Sequence, residues 1–294
     1  AGRLRSPAHF EKTRMKTMIR LIALDLDGTL LEDPRKGLPP RNAEALRRAQ
    51  AQGVALAICS GRTTEDASYF ASDAGLEMHI LGLNGGYCLD RPHGKCMANH
   101  VINAATVQAL LAMLNALPKL EYGVFSGEDI VLNYTRTPEQ MKLPIWGTYL
   151  GRSGKTFLND GGVGLELVLD RGVNKLVVID KAGTGVLPTL RQRIAAELPE
   201  LEVSSSWVDN SEIMPRGVNK GTAVTELAQQ LGVPLAEVMT LGDNDNDIPM
   251  LTCAGYGVAM ENATPGASAA AKYHTARYDA YGVAEAIEKY VLKA

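Results

Sequence analysis

MIRLIALDLDGTL, residues 18–30, is apolar at nearly every position from Ile19 to Leu24 and turns acidic at Asp25. A strand with one wet face alternates apolar and polar residues. An unbroken apolar run instead suits a strand covered on both faces, as in a parallel sheet. Such sheets bind ligands beyond the carboxyl ends of their strands. Asp25 and Asp27 stand at that end, and Gly28 and Thr29 let the chain turn away sharply. Backbone N–H groups near Leu26 and Asp27 then become available to an anion. Taken alone, the segment also reads as an Asp-Gly turn with helix-capping acids.

Outward from this strand, Ala45, Leu46 and Ala49 recur at helical spacing within Arg41 to Gln52. Gly53 follows, then a second apolar strand, Val54 to Ile58, which completes a strand–helix–strand unit. The alternation returns after residue 215: a helix from Gly221 to Leu231, a strand Val238 to Leu241, a helix near Ile248 and a strand Gly257 to Ala259. The middle differs. Strand-like segments fall at Tyr122 to Phe125, Ile130 to Tyr134, Leu165 to Leu169, Leu176 to Ile179 and Val203 to Val208, with helices near Thr106 to Leu117 and Leu187 to Leu198.

At 294 residues the chain exceeds the usual size of one core. The expected organisation is an α/β, doubly wound parallel-sheet core from residues 18–87 and 212–294, interrupted by an α+β insert at 88–211. Glycine and proline punctuate both crossings, so hinges are expected at Gly85-Gly86 and at Pro215 to Gly217. Residues 1–17 are polar and basic without amphipathic periodicity. They read as a disordered leader or expression remnant ahead of Met18, with an Arg-rich transit peptide as the second reading.

Three further clusters share the chemistry of the first. The strand ending at Ile58 runs into Cys59-Ser60-Gly61-Arg62, where the Ser60 hydroxyl and the Gly61 backbone suit a phosphate oxygen. Alone, Ser60 reads as the N-cap of a helix starting near Thr64. Lys220, in GVNKG ahead of a helix, can reach the same phosphate as a point charge, although a lone lysine there is usually a solvated surface residue. GDNDNDIPM, residues 242–250, places Asp243, Asp245 and Asp247 among asparagines directly after an apolar strand. Ile248, Pro249 and Met250 end the polar run too early for a twelve-residue calcium loop. Mg²⁺ fits better, since it takes few carboxylates and completes its shell with water and phosphate. A carboxylate attacks a phosphoryl dianion only when a cation and donors neutralise both, so Asp25, Mg²⁺, Ser60 and Lys220 need one another.

The order DLDGTL, SGR, GVNKG, GDNDND, with the Asn84-Gly85-Gly86 loop and the tail GVAMENA at 257–263, resembles the haloacid dehalogenase superfamily, and specifically its Cof-like phosphatases. The resemblance covers the chain from Met18 onward. It implies that Asp25 is the nucleophile and that Asp27 protonates the leaving oxygen and later activates water. It implies Mg²⁺ held by the Asp25 side chain, the Asp27 carbonyl and Asp243, with Asp247 orienting that shell. Asn246 would contact phosphate or the metal shell, and Ser60, Gly61 and Lys220 would hold the phosphoryl group. The insert would be a cap that closes over the site and selects the leaving group. The implied activity is hydrolysis of a small phosphorylated metabolite, a sugar phosphate or phosphorylated cofactor. Phosphoryl transfer between sugar positions and a non-catalytic phosphate-binding role are the alternatives. Asp27 and the large insert weigh against the last.

A balance of 30 basic against 33 acidic residues, net charge −3, gives no electrostatic case for nucleic acid or an anionic membrane. No apolar run approaches a membrane span, and four scattered cysteines suit a reducing compartment, so a cytoplasmic protein is expected; oligomeric state is not legible. Gly154-Lys155-Thr156 resembles the end of a P-loop but lacks its first glycine and its strand. Cys88, His93, Cys96 and His100 follow no familiar zinc spacing, and Gly161-Gly162-Val163-Gly164 reads as a turn.

Overall fold

Leu21–Leu24 forms strand β1, buried at every residue. Ile22 and Leu24 enter one apolar cluster, while Leu21 and Ala23 enter another on the opposite face. Period-two alternation therefore divides the run between two cores, which is why no polar residue interrupts it. Each large side chain so buried contributes about 2 kcal/mol. The structure is a computed structural model that describes residues 18–117, 120–133, 163–205 and 209–292. The leader at 1–17, Tyr134, the GKT segment at 154–156, residues 161–162 and residues 206–208 lie outside them.

The chain continues through α1 (Pro40–Ala51), β2 (Ala55–Cys59), α2 (Thr64–Asp73), β3 (His79–Gly82), β4 (Tyr87–Leu89) and β5 (Cys96–Asn99). A second unit follows: α3 (Ala104–Asn115), β6 (Glu121–Ser126), β7 (Asp129–Leu132), α4 (Val163–Arg171), β8 (Lys175–Ile179), α5 (Leu187–Glu197), β9 (Leu201–Ser204) and β10 (Asn210–Pro215). The chain then returns through α6 (Lys220–Gln230), β11 (Val238–Gly242), α7 (Ile248–Cys253), β12 (Tyr256–Met260), α8 (Pro265–Ala270), β13 (Tyr273–Thr275) and α9 (Gly282–Ile287).

Among the described residues the first sheet runs β13-β12-β11-β1-β2-β3-β4-β5, parallel from β13 to β3 and antiparallel in its last two strands. The second is antiparallel, in the order β7-β6-β8-β10-β9. β1 lies between β2 and β11, where the winding reverses, so the loops after these three strands share one crevice. This is the expected doubly wound core with an inserted α+β unit.

Three expectations need correction. The boundary after residue 87 is misplaced, because Tyr87–Leu89 pairs with β3 and Cys96–Asn99 pairs with it in turn. A hinge at Gly85-Gly86 would tear that pairing, and the crossing instead follows Asn99. The boundary at 211/212 divides β10, which stays in the second sheet as far as Pro215. Leu165 to Leu169, read as a strand, lies in helix α4.

Candidate active site

Asp25 is buried at the carboxyl end of β1, and its N–H still donates to the Leu241 carbonyl of β11. The ladder thus holds the backbone in place up to the functional side chain. Beyond it the chain folds back on Leu26, whose carbonyl accepts from the N–H groups of Thr29, Leu30 and Leu31. Gly28 sits at φ +82°, where a Cβ would stand 2.5 Å from Asp243 Oδ2. Only glycine allows the first motif to approach the fourth so closely.

Lys220 is the first residue of α6, whose N-cap Asn219 accepts from the N–H groups of Gly221 and Thr222. That cap aims the lysine inward. Its side chain is 1% exposed and donates to Asp25 Oδ1 at 2.7 Å and Asp247 Oδ1 at 2.6 Å. It is no solvated surface residue. The other Asp247 oxygen accepts from the N–H groups of Asp243 (2.8 Å) and Asn244 (3.0 Å), closing the loop after β11. Asp243 accepts from the Thr29 hydroxyl at 2.7 Å, while Asn262 spans the Gly28 carbonyl and Asp243 Oδ2.

One oxygen from each of Asp25, Asp243 and Asp247 lies within 4.8 Å of the others. Burial pushes the Asp25 carboxyl well above the usual carboxylate range; Lys220 opposes this, and Asp247, Asp243 and Asp27 add to it. Burial likewise raises Asp243, to about 6, against the Thr29 hydrogen bond and with repulsion from Asp247. Burial would lower the Lys220 ammonium, but Asp247 and Asp25 outweigh it and raise it above an ordinary lysine. Three carboxylates facing one ammonium leave the cluster short of positive charge. Asp247 already accepts three close bonds, from Lys220 and two backbone N–H groups, whereas Asp243 accepts one close bond, from Thr29, and only a 3.4 Å contact from Asn262, so Asp25 and Asp243 are the donors better suited to a hard divalent cation.

Asp27 is half exposed, and both its oxygens bond to Arg62: Nε to Oδ2 at 2.7 Å and Nη2 to Oδ1 at 2.6 Å. Arg62 also donates to the buried Asp66 at 2.6 Å. Arg62 stands in the SGR motif without an expected role of its own; the cue the sequence carries is Asp66, four residues on at helical spacing. Thr63, not Ser60, caps α2, by accepting from the Asp66 N–H. Ser60 is therefore spared that duty; it is buried, and its Oγ takes the N–H of Arg62 at 3.3 Å.

Asn246 donates weakly to Asn84 Oδ1 at 3.4 Å, and its own Oδ1 is buried without a hydrogen-bond partner among the described residues. Asn84 Oδ1 lies 3.2 Å from where a Gly61 Cβ would sit, so Gly61, Asn84 and Asn246 converge. Beside them a cavity opens between the two units, lined by Asn84, Lys220 and Asn246 from the core and Glu202, Ser204 and Met214 from the insert. The Cys88 thiol turns to the Gly85 carbonyl and His100 pairs with Glu226, so Cys88, His93, Cys96 and His100 form no common cluster.

A family profile described as haloacid dehalogenase-like hydrolase matches residues 22–287. The chain belongs to the haloacid dehalogenase-like hydrolases. Within that family it is a phosphatase of the Cof-like branch. Pyridoxal phosphate phosphatase YbhA of Escherichia coli (strain K12) is 31% identical over 248 residues, covering 83% of this chain and 88% of that protein. 5-Amino-6-(5-phospho-D-ribitylamino)uracil phosphatase YwtE of Bacillus subtilis (strain 168) is 27% identical over 299 residues, covering 92% and 98%. A solved haloacid dehalogenase-like hydrolase from Bacillus subtilis superposes with a TM-score of 0.77 at 26% identity, covering 92% of this chain and 99% of that one. The insert of this hydrolase is its cap. Among the described residues no helix is long and apolar enough to cross a membrane.

Proposed function

We propose that this phosphatase hydrolyses a small phosphorylated metabolite, a sugar phosphate or phosphorylated cofactor, through a phosphoryl group carried on Asp25. The observation behind this reading is the buried Asp25 carboxylate, 2.7 Å from the Lys220 ammonium and grouped with Asp243. Two relatives are named for the hydrolysis of small phosphate esters, pyridoxal phosphate and a phosphoribitylamino uracil.

In the first half of the reaction Asp25 attacks phosphorus, and the bond from phosphorus to the leaving oxygen breaks. Asp27, in its protonated form, delivers a proton to that oxygen, and the Arg62 fork holds the carboxylate so produced in place for the second half. In the second half Asp27 takes a proton from water, which attacks the phosphoryl group and breaks its bond to Asp25. Ser60, Gly61, Asn246 and Lys220 hold the phosphoryl oxygens, and Asp247 keeps Lys220 and the loop of Asp243 in place. Mg²⁺ bound by the Asp25 side chain, the Asp27 carbonyl and Asp243 would neutralise the phosphoryl charge that otherwise repels Asp25.

A panel of phosphomonoesters, assayed for phosphate release with Mg²⁺ and then with excess EDTA, tests the reading. Mg²⁺-dependent release from at least one sugar phosphate or phosphorylated cofactor is expected. Full activity in EDTA, or transfer to a second sugar without phosphate release, would refute it.

A further inference from the structure

The chemistry above leaves one buried charged pair unused. Alternation along the second sheet sends Leu176, Val178 and Ile213 to the cap's own core, while Val177 joins Leu83, Phe125, Ile130 and Leu132 in the seam with the catalytic core. Lys175 shares a face with Val177, and Glu212 stands opposite Val177 in register. Both charged residues therefore point into the seam, where Lys175 is 2% and Glu212 5% exposed. Burying charges is costly unless they are well paired, so this placement needs a purpose.

Lys175 Nζ crosses to the core and donates to the Gly61 carbonyl at 2.7 Å, and it pairs with Glu212 at 3.2 Å. The same Glu212 oxygen accepts from Asn84 Nδ2 at 2.6 Å. Asn84 Oδ1 in turn faces Gly61 and Asn246. A polar chain thus runs from Gly61 through two cap residues and back to Asn84 and Asn246. The Gly61 carbonyl shares a peptide plane with the Arg62 N–H, which donates to Ser60 Oγ. Holding that carbonyl sets the plane and keeps the Arg62 N–H on one of the two lone pairs of Ser60 Oγ, which fixes the oxygen in place while its hydroxyl proton can be donated to an anion.

We infer that Lys175 and Glu212 of the cap are positioning residues for phosphate binding by Ser60, Gly61 and Asn246. Cap closure then assembles the phosphate grip as well as enclosing the leaving group. The inference rests on the phosphatase reading of Asp25 and Ser60.

The test compares the full-length wild type with Lys175→Met and Glu212→Gln at saturating Mg²⁺. It uses para-nitrophenyl phosphate as substrate and inorganic phosphate as competitive inhibitor. For Lys175→Met, KM and the phosphate Ki are expected to rise together by about tenfold while kcat stays within about threefold, the effect of losing one charge-assisted bond. Glu212→Gln, which keeps the shape and a partner for Asn84, should raise both by about threefold. A purely structural role would lower the folded fraction, and with it kcat, without moving KM or Ki. If Lys175→Met does not fold, Glu212→Gln carries the test alone. Wild-type KM and Ki in a folded variant would overturn the inference, whereas a wild type without phosphate release would overturn the phosphatase reading with it.

Discussion

Arg62 holds the Asp27 carboxylate by two parallel hydrogen bonds while its third nitrogen engages the buried Asp66. A planar guanidinium can make this fork and an ammonium cannot. Arg62→Lys should therefore fold but lose kcat by about tenfold or more, because the proposed acid is no longer aimed. Arg62→Met also removes the charge partner of Asp66 and should lower stability by about 3 kcal/mol in urea unfolding. Wild-type kcat in Arg62→Lys would show that the pair does not orient Asp27 for catalysis.

Gly28 gives a sharper geometric test. A Cβ there would meet Asp243 Oδ2 at 2.5 Å, and the residue sits at φ +82°, so the first and fourth motifs could no longer close on each other. Gly28→Ala should keep the fold, by circular dichroism, and lose Mg²⁺-dependent turnover by about a hundredfold. Near-normal turnover would mean that Asp243 does not need its present position.

Mg²⁺ should stabilise the folded chain, since ligand that binds only the native state shifts the equilibrium by about 3 kcal/mol at a hundredfold excess over Kd. The melting temperature of wild type should rise by several degrees with Mg²⁺ and fall back with EDTA. Asp243→Ala should fold, show no such rise and lack activity. A normal Mg²⁺ shift in that variant would place the metal elsewhere.

Much of this site is legible in the sequence because it rests on parallel strands buried on both faces. Apolar runs at β1, β2 and β11 announce where each strand ends, and Asp25, Ser60 and Asp243 stand just beyond those ends. The hairpin Tyr87–Asn99 is harder to place. Asn84-Gly85-Gly86 looks like a linker, while β5 is half exposed and its pairing shifts between Cys88 and Leu89, which blurs the alternation. In α4 the spacing of Leu165, Leu167 and Leu169 mimics a strand, although the segment is helical. Lys175 and Glu212 escape for another reason: their partners lie 114 and 128 residues away, across a seam that no local period encodes. The available cue was a charged residue beside each apolar run, in NKLVVID and SEIMP.

The cavity between cap and core receives Ser204 and Met214 from the cap. If the leaving group lies there, Ser204→Ala and Met214→Ala should reorder preference among natural phosphomonoesters. Turnover of para-nitrophenyl phosphate should stay within about threefold, because the residues proposed for the chemistry sit on the other unit. An unchanged ranking would place selection elsewhere.

The central claim is that Asp25 carries the phosphoryl group, and trapping that group tests it most directly. Asp27→Asn, mixed with para-nitrophenyl phosphate and Mg²⁺ and quenched in acid, should accumulate phosphoenzyme, because a good leaving group needs no acid while water attack is slowed. Peptide mass spectrometry should find one phosphoryl group, on Asp25, and Asp25→Asn should show none. Phosphate on any other residue, or an undiminished phosphoenzyme in Asp25→Asn, would contradict the account.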